Sequence, residues 1–382
     1  MTQFTRQFQP DRNVESMHAK NSQHAFYKIA ENTWMVIVVG PPSNSNVPFS
    51  CITNAVLVSL LEQSYAMYAF LNGTVEDKLN AESARILRAK MEAFFPASLN
   101  SLLHIDEAVQ LASFRGIQFL PVDKLTFLQV QCFVNALESA FSQLTGSVLF
   151  LDGLVLHGGV ELEDLKTLVI YAEREILPSF SELKEGFIIG PEVIDEGDNS
   201  PSNAVQCFLQ NSQVYMLGFR YARCLLIVFL PVDCVLPSPF YAQLNTFLFK
   251  SLPDVASIIE RHIYAPQGLD ESYKYFYFNR INLAWKTSLV TDGSNKGLSL
   301  PSGLFSVMTS VIDTLMSSED EGHVKEMLIR GQGEWWVVGR RSAERLFVVL
   351  FDNRTKTLLE ANENVNKLSR HFFNNIFVEW GS

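Results

Sequence analysis

The sequence predicts an α+β protein built by repeating one module, an antiparallel sheet with flanking helices. Two observations predict it. First, the order strand, strand, helix, strand, strand, strand, helix is met twice in succession between residues 147 and 372. Second, each of these units holds helix segments with an apolar face that can cover an antiparallel sheet, which is the α+β solution to burying both elements. The predicted division is a first module with extra helices over 1–144, a second over 145–265 and a third over 270–382.

The first third shows the end of the pattern without its beginning. Phe26–Ile29 and Thr33–Val39 read as strands, and Leu57, Leu60, Leu61, Tyr65, Tyr68 and Leu71 mark one helix face. No hairpin precedes them, and between Val39 and Asn54 only PFSCI offers a third strand. Two further helices are expected, over 84–95 and along Leu125, Leu128, Cys132, Leu137 and Phe141.

The clearest local signal lies in the middle. VLFL and LVLH flank Asp152-Gly153, the residue pair that a type I′ two-residue hairpin requires. Leu162, Leu165, Val169, Ala172 and Ile176 keep helical spacing behind the acidic Glu161, Glu163 and Asp164, and Pro178 ends the helix. After a polar loop over 190–203 come strands at Val205–Leu209, Val214–Arg220 and Arg223–Leu230. A long helix carries Leu244, Phe247, Leu248, Leu252, Val255 and Ile259, with a kink expected at Pro253.

The last third repeats the order. Tyr273–Phe278 and Ile281–Trp285 read as a hairpin about Asn279-Arg280, and Leu304, Met308, Val311 and Leu315 as a helix. Strands follow at Val324–Ile329, Trp335–Gly339 and Leu346–Phe351, then a helix with Leu358, Ala361, Val365, Leu368 and Phe372. Trp335 and Trp336 are adjacent, so in a strand they point to opposite faces. Such a sheet needs a second covering layer or a partner.

Composition narrows the function classes. The net charge of −11 argues against general DNA or RNA binding. The polar N-terminus has no signal-peptide pattern and no apolar run is long enough to span a bilayer, which predicts a cytosolic chain. The five cysteines are scattered and read as small core residues. The sequons at Asn72 and Asn353 carry no meaning in a cytosolic chain.

Side-chain chemistry is sparse. The phosphate-loop pattern and the GxSxG nucleophile pattern are absent. Gly331-Gln332-Gly333 reads as a turn. His18 and His24 are the closest histidine pair, with no cysteine near them in sequence. Glu161, Glu163 and Asp164 read as a helix first turn, and the acidic groups at 195–198 and 319–321 as solvated loops. Arg340-Arg341 reads as a solvated turn, with contact to acidic lipid or an acidic partner as the functional option. No metal or cofactor is expected, and no enzymatic chemistry.

Taken in order, several segments resemble one family. These are QFTRQFQP, ENTWMVIVV, SYAMYAFLNGT and GIQFLPVDKLTFLQVQCFVNALE in the first third, and YKYFYFNRINLAWKTSL, EWWVVGRRS, ERLFVVLF, LLEANENVNKL and FFNNIF in the last. Together they look like the vacuolar fusion proteins named for calcium-caffeine-zinc sensitivity, from about residue 3 to residue 378. The resemblance implies three longin domains, the modules predicted above. It implies a partner with three longin domains of its own, the monensin-sensitivity protein. It further implies that the pair is a guanine-nucleotide exchange factor for the late-endosomal Rab GTPase, recruited peripherally to late-endosome, lysosome or vacuole membranes for fusion, including that of autophagosomes. The nucleotide would belong to the GTPase. In the family the first longin domains of both subunits form the exchange surface. QFTRQFQP matches the end of that domain's first helix, so the first module is expected to lack its initial hairpin. By position the partner-binding residues would be Phe4 and Phe8 on that helix and Trp34 and Met35 on the following strand, where core packing is the competing role. A longin-type scaffold or tether without exchange activity is the rival reading.

Overall fold

Apolar strands joined by tight turns pair with their chain neighbours, and the computed structural model of the chain carries three antiparallel sheets. It describes residues 16–20, 22–30, 33–40, 54–81, 84–103, 116–178, 185–190, 204–233, 239–262, 273–288, 304–317, 325–330 and 335–352, with 360, 363 and 365–368. Two compact units are formed. One comprises Met1–Tyr65, Met91–Gly116 and Gly268–Ser382, and the other Ala66–Lys90 and Ile117–Gln267. The first and third sheets lie in the former and the second sheet in the latter.

In the first sheet β1 (Ser16–Ala19), β2 (Ser22–Ala30) and β3 (Thr33–Val39) pair in that order. The third strand therefore precedes the two expected ones. Its sequence SMHA is short and half polar, and carries no alternation to read. Helix α1 (Asn54–Asn72) lays Val56, Leu57, Leu60 and Leu61 on Ala25, Met35 and Ile37. Then come α2 (Val75–Ala81), α3 (Ala84–Leu103), which continues through Pro96, and α4 (Lys124–Ala140). Asp123 caps α4, its carboxylate accepting the Thr126 N–H at 2.6 Å.

The predicted burial of α4 needs correction. The residues facing the core are Thr126, Val130, Phe133, Val134 and Leu137, while Leu125, Leu128 and Cys132 are exposed. This helix carries apolar residues on two stripes. The stripe that meets the sheet holds the larger set, extended by Phe141.

The second sheet runs β5-β4-β9-β8, with the outer side of β8 shared by β6 and β7. Its members are β4 (Gly146–Leu151), β5 (Leu154–Gly158), β6 (Gly186–Ile189), β7 (Val205–Leu209), β8 (Ser212–Tyr221) and β9 (Cys224–Pro231). The β4–β5 turn is as predicted, with Asp152 at φ 48° and Gly153 at φ 81°. Helix α5 (Leu162–Tyr171) ends in a π-helical turn, Ala172–Ile176, shortly before Pro178. Helix α6 (Phe240–His262) runs through Pro253, and with α4 it covers one face of the sheet. Residues 118–120 add a short parallel contact to β5 through Val155.

The third sheet runs β11-β10-β14-β13-β12, from β10 (Tyr273–Asn279), β11 (Ala284–Thr287), β12 (Lys325–Arg330), β13 (Trp335–Ser342) and β14 (Arg345–Asp352). Its first hairpin departs from expectation. Asn279 pairs with Ala284, so the loop is four residues, 280–283, and not Asn279-Arg280. Asn279 accepts the Ile281 N–H and Asn282 the Ala284 N–H, and Leu283 takes φ 52°. These side-chain turns stabilise the longer loop. Helix α7 (Leu304–Ser317) packs Leu304, Met308, Val311, Ile312 and Leu315 on one face with Trp335. On the other face Trp336 packs with the helical residues Val365 and Leu368. The adjacent tryptophans are thus accommodated by two covering layers.

Counted within its module, the third sheet runs 2-1-5-4-3, and the second runs 2-1-6-5 with its third and fourth strands sharing the outer side of the fifth. The likeness extends to single residues. The β8–β9 and β13–β14 turns both begin with alanine at φ 48°, Ala222 and Ala343. In each turn an arginine two positions earlier, Arg220 or Arg341, donates from Nε to that alanine's carbonyl, at 3.2 and 3.0 Å.

Candidate functional site

Ser147 donates to Glu138 at 3.3 Å, and the Glu138 charge acts on His157, so a serine, a histidine and a carboxylate do share a neighbourhood. Ser147 is fully buried and cannot meet a substrate. His157 is held below its usual pKa by burial, partly offset by Glu138, and its Nε2 meets no hydrogen-bond partner among the described residues. Cys207 and Cys224 are buried, and burial pushes both thiols up to about 12, which keeps them protonated. Cys132 is the exception to the expected core role, since it is exposed.

Other candidates resolve into structure. His18 pairs with Gln23 across β1 and β2, whereas Met17 pairs with His24, so the two imidazoles lie on opposite faces of the sheet. Among the described residues no group of three or more His, Cys, Asp or Glu could hold a metal ion. Glu163 and Asp164 stand in the first turn of α5, where the helix dipole favours them. Asp164 also accepts the Gln210 N–H at 3.1 Å, and burial raises its carboxyl above the usual range despite that bond. Gly331–Gly333 and the acidic groups at 195–198 and 319–321 lie outside the described residues.

Arg340 and Arg341 correct the reading of a solvated turn. Both belong to β13 and point to opposite faces. Arg341 is 9% exposed and donates from Nη1 to the last carbonyls of α7, Leu315 at 2.8 Å and Met316 at 3.3 Å. It caps a helix C-terminus with a positive charge. Arg340 donates to Glu326 at 3.0 and 3.1 Å and to Asn366. Both cations are engaged within their own module.

What remains are surfaces. Phe4 and Phe8 lie outside the described residues. Trp34 and Met35 lie on β3 and alternate. Met35 joins the core under α1, while Trp34 shares the other face with Val36 and Val38, which are 48% and 56% exposed. That outer face also carries Phe26 opposite Val36, stacked on His24. A second exposed apolar surface is the outward stripe of α4, which the sequence reading placed in the core. The signal that could have revealed it was the presence of two competing apolar stripes on one helix.

Among the described residues no helix is long and apolar enough to cross a membrane. A surface of this kind, without a chemical centre, gains meaning from relatives. The family model for the first longin domain of INTU, CCZ1 and HPS4 matches residues 1–73, and that for the third longin-like domain of Intu matches 270–368. The vacuolar fusion protein CCZ1 homolog of Nematostella vectensis is 28% identical, over 99% of this chain and 88% of its own length. That of Danio rerio is 27% identical, over 99% and 86%. That of Dictyostelium discoideum is 22% identical, over 98% and 87%. The chain is thus similar to the CCZ1 homologues along nearly its whole length. Its sheets of three, six and five strands fit longin modules. The first-domain match places β1, β2, β3 and α1 within the longin domain that the family shares with INTU and HPS4, and so does the Trp34, Val36 and Val38 face.

Proposed function

We propose that this chain is a subunit of a guanine-nucleotide exchange factor for the late-endosomal or vacuolar Rab GTPase. It acts with a three-longin partner, the monensin-sensitivity protein, in vesicle fusion with the vacuole or lysosome, including the fusion of autophagosomes. The observation that carries the proposal is similarity along almost the whole chain to relatives described as vacuolar fusion proteins. The apolar outer face of β3 in the first longin domain supports a role in protein contact.

The mechanism is conformational. An exchange factor binds the nucleotide-free GTPase more tightly than the loaded one, and that difference in affinity releases nucleotide without a covalent step. The chain supplies no acid, base or nucleophile to the event. Guanine nucleotide and Mg²⁺ belong to the GTPase. The chain works from the cytoplasm and reaches the membrane peripherally through the complex.

The test is nucleotide release. The Rab GTPase is loaded with a fluorescent guanine nucleotide and mixed with this chain, the partner, or both. Acceleration that needs both chains is the expected result. A stable heterodimer that leaves release unchanged overturns the exchange reading in favour of a tether or scaffold.

A further inference from the structure

We infer that the free edge of β3 pairs with the same edge of a second copy of this chain, joining two three-stranded sheets into one of six strands. Self-pairing of this kind does not depend on exchange activity.

The place of β3 in its sheet sets it apart. β9 and β14 stand at the same place in their modules, last of the three-strand run, and both are interior strands. β9 pairs antiparallel with β8 on one side and β4 on the other, and β14 with β13 and β10. β3 pairs with β2, and among the described residues no strand pairs with its other side. Every second residue of β3 therefore turns its N–H and C=O to an edge without a strand. Its sequence is nonetheless that of an interior strand, apolar at each position from Trp34 to Val39.

The other sheet edges are blunted. β1 and β11 are four residues long, and β6 and β7 are four and five. β5 is met by residues 118–120. β12 carries Lys325, Glu326 and Arg330. Shortness, cover and charge are devices that keep an edge from pairing. Among the described residues β3 shows none of them, being seven residues long and uncharged.

The sequence of β3 also decides what fits. Set antiparallel to itself about a two-fold axis at Val36, all seven residues find a neighbour. Trp34 lies opposite Val38 of the second copy, Met35 opposite Ile37, and Val36 opposite its own equivalent. Opposed residues point to one side of a sheet. Met35 and Ile37 then extend the apolar layer under α1, and Trp34, Val36 and Val38 extend the outer face. No pair buries a charge, and any other register leaves part of β3 without a neighbour. A two-fold contact must be self-complementary, and this edge is. A single strand pair buries less than the roughly 800 Å² per partner of a standard contact. A dissociation constant of about 10 μM is therefore expected, carried mainly by backbone hydrogen bonds.

The experiment measures dimerisation of the full chain by sedimentation velocity at rising concentration. Val36→Lys sets two ammonium groups against each other at the two-fold axis and should weaken the dimer by about 30-fold. Val36 is 48% exposed, so the variant should keep the wild-type circular dichroism and melting temperature. An equimolar mixture of Val36→Lys and Val36→Glu should recover a dimer that neither variant forms alone. A second readout combines Val36→Cys with replacement of the exposed Cys132 by serine. Mild oxidation should then link two copies through the introduced thiols, because directly opposed Cβ atoms lie ~4.5–5.5 Å apart. A wild-type chain that stays monomeric up to about 100 μM overturns the inference. So does a dimer that Val36→Lys leaves intact, a mixture that gains nothing over its components, or oxidation that leaves the chains unlinked. If Val36→Lys fails to fold, the thiol link decides.

Discussion

Strands β14 and β3 each end the three-strand run of a module, and each reads as an unbroken apolar stretch, LFVVLF and WMVIVV. Their surroundings differ. In β14, Leu346, Val348 and Leu350 pack toward α7, while Phe347, Val349 and Phe351 pack toward Val365, and none is more than 2% exposed. In β3, Met35 and Ile37 are buried under α1, and Val36 and Val38 stand about half in solvent. An apolar run therefore does not tell one-sided from two-sided burial. The layers brought by other parts of the chain do.

The largest break in this comparison should come from truncation at the closed strand. Phe347→Ala is expected to destabilise its unit by ~3–5 kcal/mol, because the surrounding layers cannot collapse into the void. Val36→Ala on the half-open strand should change stability by less than ~0.5 kcal/mol. Urea midpoints for the two variants measure the difference, and equal effects would mean that the outer face of β3 is as closed as β14.

Arg341 sharpens the contrast next. It faces the α7 side of the closed sheet, at the place that Ile29 takes in the first sheet. Arg341→Met should cost ~2–3 kcal/mol, since the last carbonyls of α7 lose their donor. Arg340→Met on the other face should cost less. Thermal melts of the two variants report the ranking.

Titration offers a third measure of closure. Burial holds His157 below its ordinary pKa of 6.5, with Glu138 opposing. The unfolded chain therefore takes up this proton first as the pH falls. The stability it contributes is complete above about 6.5 and is lost below it. Between pH 7.5 and 5.5 the wild type should lose more melting temperature than His157→Gln does. Equal losses would place the imidazole in solvent.

The smallest effect is expected where the two larger modules differ only in sign. At the tip of the second sheet Asp152 donates its N–H to the Arg223 carbonyl at 3.2 Å and its carboxylate pairs with the Arg223 guanidinium. At the tip of the third, Arg280 donates its N–H to the Glu344 carbonyl at 2.9 Å and its guanidinium pairs with Glu344 at 3.3 Å. The charges are exchanged about the same backbone bond. Arg223→Glu should cost ~0.5 kcal/mol, and less when Asp152 is already asparagine, which keeps the left-handed turn without the charge, as befits exposed pairs. A double-mutant cycle on thermal melts would detect the coupling.

Much of this was legible in the sequence. The Asp152-Gly153 turn, the meanders, the helices α1, α5, α6 and α7 and the double covering required by Trp335-Trp336 all follow from local pattern. β1 and β6 were not legible, because four-residue strands carry too little alternation. The second hairpin was misread because Asn279 and Asn282 stabilise a four-residue loop through bonds that a dipeptide does not announce. The site was less legible than the fold. Trp34 and Met35 lie side by side in sequence, and only pairing with β2 and the position of α1 assign Met35 to the core and Trp34 to the outer face.

The sequence by itself determined the repetition of the module and most of its element order, since these rest on periodicity and turn chemistry. Tertiary structure alone decided which of two apolar stripes on α4 is buried. It also decided that Arg340 and Arg341 serve their own module, and that β3 is closed on one side. The physical reason is common to all three. Burial and ion pairing depend on which distant segment arrives at a face, and a local pattern carries no record of that segment.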